Sequence, residues 1–143
     1  MTAAVPSDIA AILERTRRIA VVGASDDPRR PSYGVVGRLI TAGYEVIPVN
    51  PNLASVHGIP AFAHLEEVEG PIDLVDVFRR AEYAPQIARD AVAVGAGAVW
   101  LQQGVRSREA RTIAADGGLG YVEDACLAVE VVLGRHRPAA VRP

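Results

Sequence analysis

The fold of this chain is decided by residues 18–33, which read RIAVVGASDDPRRPSY. The uninterrupted apolar run over 19–22 is typical of a strand covered on both faces of a parallel sheet. Gly23 ends that run and allows both a sharp turn and a close approach of a ligand to the backbone. Ser32 is a candidate N-cap for a helix over 33–42, whose free N–H groups would face an anion. The stretch therefore predicts a strand, a turn and a helix start that together suit a phosphate.

The loop between this strand and helix departs from the G-x-G-x-x-G dinucleotide fingerprint, because Ala24 and Ser25 follow the glycine. It carries Arg29 and Arg30, and guanidinium groups beside a helix N-terminus suit phosphate recognition. The alternative is a solvated surface loop whose arginines only maintain solubility. We favour the phosphate interpretation, since functional residues tend to lie on loops carried by a rigid strand.

Length and charge limit the classes of protein to which this chain can belong. Its 143 residues fit one domain, 1–143, with a proper core. The net charge of -2 argues against a nucleic-acid binder, and no apolar run is long enough to span a bilayer. The first six residues lack the features of a secretory signal and the chain has one cysteine, so we expect a cytoplasmic protein.

The types of cationic residue and the spacing of the histidines argue against lysine-dependent sites and against a metal site. All 15 cationic residues are Arg, which removes Schiff-base lysines and the lysine of a P-loop from consideration. His57, His64 and His136 show no metal-ligand spacing, so we expect no metal site. The tail over 135–143 is rich in Arg and Pro and is expected to be disordered.

Strand and helix patterns alternate along the rest of the chain. Further strands are predicted over 44–49, 72–78, 98–101 and 119–122, and helices over 7–16, 85–94, 107–115 and 126–133. Ser107 and Asp124 are candidate caps of the last two helices. The alternation predicts an α/β fold with a doubly wound, mainly parallel five-stranded sheet and helices on both faces.

Unusual residues follow every predicted strand, and the carboxyl ends of parallel strands are where ligands bind in such folds. Arginines, amides, small residues and a thiol would therefore share one crevice. At the end of the second strand, Asn50 lies between two prolines where an NAD site needs a carboxylate for the ribose, which disfavours NAD. Asn50 either contacts a ligand or only shapes the turn.

Several segments together closely resemble the stand-alone CoA-binding protein family, relatives of the CoA-binding domain in the succinyl-CoA synthetase α-subunit. They are VVGAS at 21–25, PSY at 31–33, GY at 43–44, PVNP at 48–51, VDVFR at 75–79, WLQQGV at 100–105 and CL at 126–127. The resemblance covers about residues 7–134. It implies a Rossmann-like fold and coenzyme A as the ligand.

The resemblance also implies where the parts of coenzyme A would lie. Gly23, Ala24 and Ser25 would line the pyrophosphate turn, with Ser32 and Tyr33 at the helix start beside it. Arg29 and Arg30 would serve the phosphates. Val49, Asn50 and Pro51 would flank the adenosine. Phe78 and Arg79 would border the same groove, and Gln103 and Gly104 would line the pantetheine side.

One departure from the family pattern concerns the cysteine. The family commonly has Arg before it, whereas this chain has Ala125. Cys126 either lies near the thiol of coenzyme A or is a buried small residue at a helix start, and we favour the second interpretation.

The chain is too short for the phosphohistidine domain and the nucleotide-grasp partner that the synthetase relatives need, so we expect no catalytic residues. The predicted function is non-catalytic binding of coenzyme A or an acyl-CoA, a small-molecule ligand, and the sequence does not identify a protein partner. Two alternatives stay open: a small NADP(H)-binding oxidoreductase, and an interaction subunit without a ligand.

Overall fold

The structure, a computed structural model, describes residues 8–141. Its helices are α1 Ile9–Glu14, α2 Pro31–Thr41, α3 Ala84–Ala93, α4 Arg108–Asp116 and α5 Leu127–Leu133. Its strands are β1 Arg18–Val22, β2 Glu45–Val49, β3 Ser55–Val56, β4 Ile59–Pro60, β5 Leu74–Val77, β6 Ala98–Leu101 and β7 Gly120–Val122. Residue 7, at which the first helix is predicted to begin, lies outside the described range. Residues 1–6, which lack the features of a secretory signal, lie outside it as well.

The five long strands form one parallel sheet in the order β2-β1-β5-β6-β7, and β3 and β4 form a separate antiparallel hairpin. The α/β fold predicted from the sequence is confirmed, with a parallel, doubly wound, Rossmann-like sheet. The chain order reverses between β1 and β5, which places the topological switch point there.

Alternate side chains of the strands pack into two hydrophobic cores, one on each face of the sheet. Ala20, Val75 and Val99 pack with α3 and α4. Ile19, Leu74 and Trp100 pack with the apolar faces of α1, α2 and α5. Both faces are covered, which is why the strands read as continuous apolar runs instead of alternating with polar residues.

Pro48 shows how the sheet accommodates a residue that cannot donate a ladder hydrogen bond. It lies within β2, opposite Val21 of β1. Because β2 is an edge strand of the five-stranded sheet, the missing N–H removes no hydrogen bond from the centre of the sheet. On the outer side, the Phe62 N–H donates to the Pro48 carbonyl at 3.0 Å.

The last described residues return along the start of the chain. The Ala139 N–H donates to the Thr16 carbonyl at 2.8 Å, and Pro138 lies 3.5 Å from where a Cβ on Gly43 would be. Disorder over 135–143 stays a prediction, and residues 142–143 are outside the described range.

Candidate functional site

The register of the sheet brings the carboxyl ends of its strands into one row. Val22 of β1 is paired with Val49 of β2 and with Val77 of β5, and Val77 is paired with Leu101 of β6. The residues that follow these strands therefore lie side by side at one edge of the sheet. They surround the switch point, where a doubly wound sheet leaves a crevice.

Gly23 marks the switch point and has a positive φ of 85°. A Cβ there would lie 2.4 Å from the Phe78 carbonyl oxygen, so the backbone of the neighbouring strand leaves no room for a side chain. The Gly23 N–H donates to the Val49 carbonyl, at 3.0 Å. Gly23 is thus required by the fold itself, whether or not a ligand lies beside it.

Two pockets open at this edge. The large pocket, of about 730 Å³, lies toward α2 and α5, and the small pocket, of about 290 Å³, lies toward α3. Three residues line both of them, and these are Gly23, Asn50 and Arg79. The two pockets are therefore neighbouring compartments of one groove across the switch point.

Eight of the predicted site residues line the large pocket. Four come from the first strand–helix connection, and these are Gly23, Ser25, Arg30 and Ser32. Four come from other strand ends, and these are Asn50, Phe78, Arg79 and Gln103. Val49 and Pro51 line the small pocket.

The structure places four other predicted residues outside the lining of both pockets, namely Ala24, Arg29, Tyr33 and Gly104. Ala24 is fully buried. Arg29 is held by its neighbour Asp27, with Nε 3.1 Å from Oδ1 and Nη2 3.0 Å from Oδ2, and its side chain is 90% exposed. The Tyr33 ring stacks on His57 with centroids 3.9 Å apart.

The helix that follows the loop begins two residues earlier than predicted, and Ser32 is not its N-cap. Arg30 holds the N-cap position and Pro31 is the first helical residue. Proline is favoured there because its missing N–H would have no helical partner and its φ suits the first turn. Ser32 is consequently inside the first turn, where it is buried and lines the large pocket.

Asn50 uses its side chain to hold the turn after β2. Nδ2 donates to the Ala24 carbonyl at 2.8 Å, and Oδ1 accepts from the Asn52 N–H at 2.8 Å. The amide thus ties the end of β2 to the loop after β1, which is the turn-shaping role. Asn50 still borders both pockets, so a ligand would meet a residue that the fold has already fixed in place.

Arg79 and Arg80 both line the large pocket, although the side chains of adjacent residues in an extended segment diverge. Arg79 also lines the small pocket, and its guanidinium carbon lies 4.4 Å from the centre of the Tyr83 ring. Arg80 pairs with Glu82 at 3.6 Å. Among the residues of the described chain, Arg79 has no acidic partner.

The loop after β6 is held by Asp124, which was predicted to cap the last helix but does not. Cys126 is the N-cap residue of α5. Asp124 Oδ1 accepts from the Gly104 N–H at 2.7 Å and Oδ2 from Arg106 Nη2 at 2.5 Å. These hydrogen bonds, the one from Gly104 first, hold the pKa of the Asp124 carboxyl below its ordinary value. The Gly104 N–H is thus already used within the protein.

Sequence reasoning missed Gln102 and Asp76, which meet beneath the large pocket. Gln102 lines that pocket and is almost fully buried, and its Nε2 donates to Asp76 Oδ1 at 2.5 Å. Asp76 is fully buried on β5, and desolvation raises the pKa of its carboxyl to about 7. The sequence signal for Gln102 is the alternation of side chains along a strand, which places Gln102 on the same face of the sheet as Trp100.

Cys126 also lines the large pocket and is half-buried. Within residues 8–141, no group of three His, Cys, Asp or Glu side chains is arranged to hold a metal ion. No helix in this range is long and apolar enough to cross a membrane.

Comparison with known proteins assigns the chain to a family. The family model described as CoA binding domain matches residues 17–132. The uncharacterized protein YneT of Bacillus subtilis (strain 168) is 42% identical over 123 residues, which are 86% of this chain and 91% of that protein. A solved structure of a hypothetical protein from Pyrococcus horikoshii OT3 is 34% identical with a TM-score of 0.84, covering 87% of this chain and 88% of that one.

A larger enzyme subunit contains a related segment. The acetate–CoA ligase [ADP-forming] II subunit alpha of Pyrococcus furiosus is 41% identical over 59 residues, which are 41% of this chain and 13% of that subunit. The parallel sheet, the groove at its switch point and the family match over most of the chain lead to one assignment: this protein belongs to the CoA binding domain family.

Proposed function

We propose that the protein binds coenzyme A or an acyl-CoA without catalysing a reaction, with the ligand lying across both pockets at the switch point. The observation that carries the proposal is the position of Arg79, which borders both pockets and is free of acidic partners among the described residues. A guanidinium in that position suits a phosphate at the junction of a two-part ligand.

The side chains that line the two compartments support a ligand made of two chemically different parts. The small pocket is bordered by Val49 and Ile87 together with polar side chains such as His64 and Asp90, which suits a nucleoside. The large pocket has Arg30 at the start of α2 and Gln102, Gln103 and Cys126 farther along, which suits phosphates followed by a polar chain ending in a thiol. Adenosine would occupy the small pocket and the pantetheine arm the large one.

Two features favour binding over catalysis. The large pocket is bordered by Cys126 and by two serines, but no histidine lines it to act as a base for them. Asp76, whose carboxyl has a raised pKa, is enclosed in the core beneath Gln102 and does not line the pocket. The residues that border the pocket thus serve recognition.

Isothermal titration with coenzyme A tests the proposal. We expect micromolar or tighter binding that weakens at least tenfold in Arg79→Ala and Arg30→Ala, since each loses a charge-assisted hydrogen bond to phosphate. Arg29→Ala should give a smaller loss, because Asp27 competes with the phosphate for that guanidinium. The matched control is Arg89→Ala, which removes the same charge from α3 at a site paired with Glu109 and should leave the affinity unchanged.

The outcomes separate this function from its alternatives. An NADP(H)-binding oxidoreductase would bind NADPH in competition with coenzyme A, and at higher affinity. An interaction subunit without a ligand would give no heat with either compound. Either result contradicts the proposal, and so does an equal loss of affinity in Arg79→Ala and Arg89→Ala.

A further inference from the structure

The buried pair of Asp76 and Gln102 is unlike any other polar contact in the described part of the protein. Asp76 is fully enclosed on β5, opposite Val21 of β1 and Trp100 of β6. Oδ1 accepts from Gln102 Nε2, while Oδ2 is enclosed and has no hydrogen-bond partner within residues 8–141. Burying a carboxyl group with so few partners is costly.

Gln102 connects this carboxyl group to the ligand groove. It follows the last residue of β6 and lines the large pocket, as Gln103 and Arg30 also do. A carboxamide has one oxygen acceptor and two N–H donors, and one N–H is taken by Asp76. The oxygen and the second N–H are therefore the groups that Gln102 can offer to a molecule in the pocket.

Asp76 decides which way round the carboxamide is held. Above its pKa of about 7 the Asp76 carboxyl group is ionised and only accepts hydrogen bonds, so it draws the nitrogen of Gln102 toward β5 and leaves the oxygen for the opposite direction. An apolar residue at position 76 would not distinguish the two orientations. Asp76 is thus a buried group that determines which atom of the Gln102 carboxamide, the oxygen or the nitrogen, faces the pocket.

We propose that Asp76 is a positioning residue that holds the Gln102 carboxamide with its oxygen toward the large pocket, where it accepts a hydrogen bond from an amide N–H of the ligand's thiol arm. This inference rests on the proposed function and adds its specificity: the large pocket selects a chain that contains secondary amides. The pair of Asp76 and Gln102 does not increase the affinity for a nucleotide that lacks such a chain.

The experiment compares coenzyme A with adenosine 3′,5′-bisphosphate, which keeps the adenosine, the 3′-phosphate and one 5′-phosphate but lacks the second 5′-phosphate and the amide arm. Both are titrated calorimetrically at pH 8, above the pKa of Asp76, into the wild-type protein and into Gln102→Met, Asp76→Val and Asp76→Asn. Gln102→Met should weaken coenzyme A about tenfold and change the bisphosphate less than twofold, since one hydrogen bond is lost. Asp76→Val should weaken coenzyme A about fivefold with the same selectivity. Asp76→Asn offers Gln102 a donor as well as an acceptor, so it should weaken coenzyme A by an amount between the wild type and Asp76→Val, with the same selectivity.

The ratio of the two affinities is the deciding measurement, because a general loss of structure weakens both ligands together. Equal losses for both ligands in Asp76→Val, or unchanged coenzyme A affinity in Gln102→Met, overturn the inference while leaving the proposed function standing. A wild-type protein that binds neither ligand overturns both. If Asp76→Val does not fold, Gln102→Met and Asp76→Asn decide the question by the same ratio.

Discussion

A Cβ on Gly23 would lie 2.4 Å from the carbonyl oxygen of Phe78, the residue that follows the neighbouring strand β5. That distance is well inside van der Waals contact, and the obstructing atom is backbone that cannot turn aside. The two residues follow β1 and β5 at the switch point, and the Phe78 N–H donates to the Val22 carbonyl at 2.8 Å. The groove can form there only if position 23 has no side chain.

Gly23→Ala should therefore destabilise the protein by about 2–4 kcal/mol, combining a clash with backbone and a positive φ that alanine disfavours. Urea denaturation measures the change in the free energy of unfolding. The matched control is Gly34→Ala in α2, where a Cβ meets nothing within 4 Å and alanine favours the helix by up to about 1 kcal/mol. Similar effects of the two substitutions would contradict the role given to Gly23.

Asn50→Asp should cost about 1–3 kcal/mol of stability, although the side chains have nearly the same shape. The substitution replaces the Nδ2 donor, which lies 2.8 Å from the Ala24 carbonyl, with an oxygen that repels it. Asn52→Asp makes the same change on an exposed residue of the same turn and should be near neutral. Thermal and urea unfolding of both variants measure the difference, and equal stabilities would show that the Asn50 amide is not needed.

Asp124→Ala should loosen the loop after β6 and lower the stability of the protein. It removes the acceptor of the Gly104 N–H and places alanine at a φ of +56°. Asp124→Asn keeps an acceptor oxygen and tolerates this φ, so it should lie close to the wild type. Hydrogen exchange at the Gly104 amide provides the readout, and exchange as slow in Asp124→Ala as in the wild type would be evidence against the contact.

The stability of the protein should depend on pH through Asp76. Burial raises the pKa of its carboxyl to about 7, above the ordinary value of 3.8, so the folded protein keeps a proton that the unfolded chain releases. The free energy of unfolding therefore falls as the pH rises from about 4 to about 7 and levels off above that. Between pH 5 and pH 8 this group should lower it by about 2–3 kcal/mol.

Asp76→Asn tests this dependence because it has no proton to release. Urea unfolding of both proteins at several pH values gives the difference between two curves, in which the groups common to both proteins cancel. We expect the wild type to lose stability relative to Asp76→Asn as the pH rises. Parallel curves would mean that the carboxyl is ionised throughout this range.

Much of the fold could be predicted because its signals are local. Apolar runs bounded by glycine and proline placed every strand of the parallel sheet, and Ser107 caps α4 as expected, with its Oγ accepting from the Ala110 N–H at 3.1 Å. The errors are local choices between competing caps. Arg30 instead of Ser32 is the N-cap of α2, because the helix begins at Pro31, and Asp124 accepts a hydrogen bond from the Gly104 N–H instead of capping the helix that follows it.

The candidate site was predictable in outline and not in detail. Parallel strands end at the same edge, so a list of strand ends already collects Gly23, Asn50, Arg79 and Gln103. The pattern gives no information on which polar groups the protein uses for itself. Arg29 bonds Asp27 and the Gly104 N–H bonds Asp124, and both contacts depend on loop conformations that the residue types do not specify.

By itself, the sequence determined the order of strands and helices and the edge at which polar residues gather, because hydrophobic periodicity and turn residues act over a few positions. The tertiary structure alone decided that Asp76 and Gln102, 26 positions apart, meet under one pocket, and that Arg79 borders two. Those relationships arise from strand register and from close packing between distant segments, which no local pattern encodes.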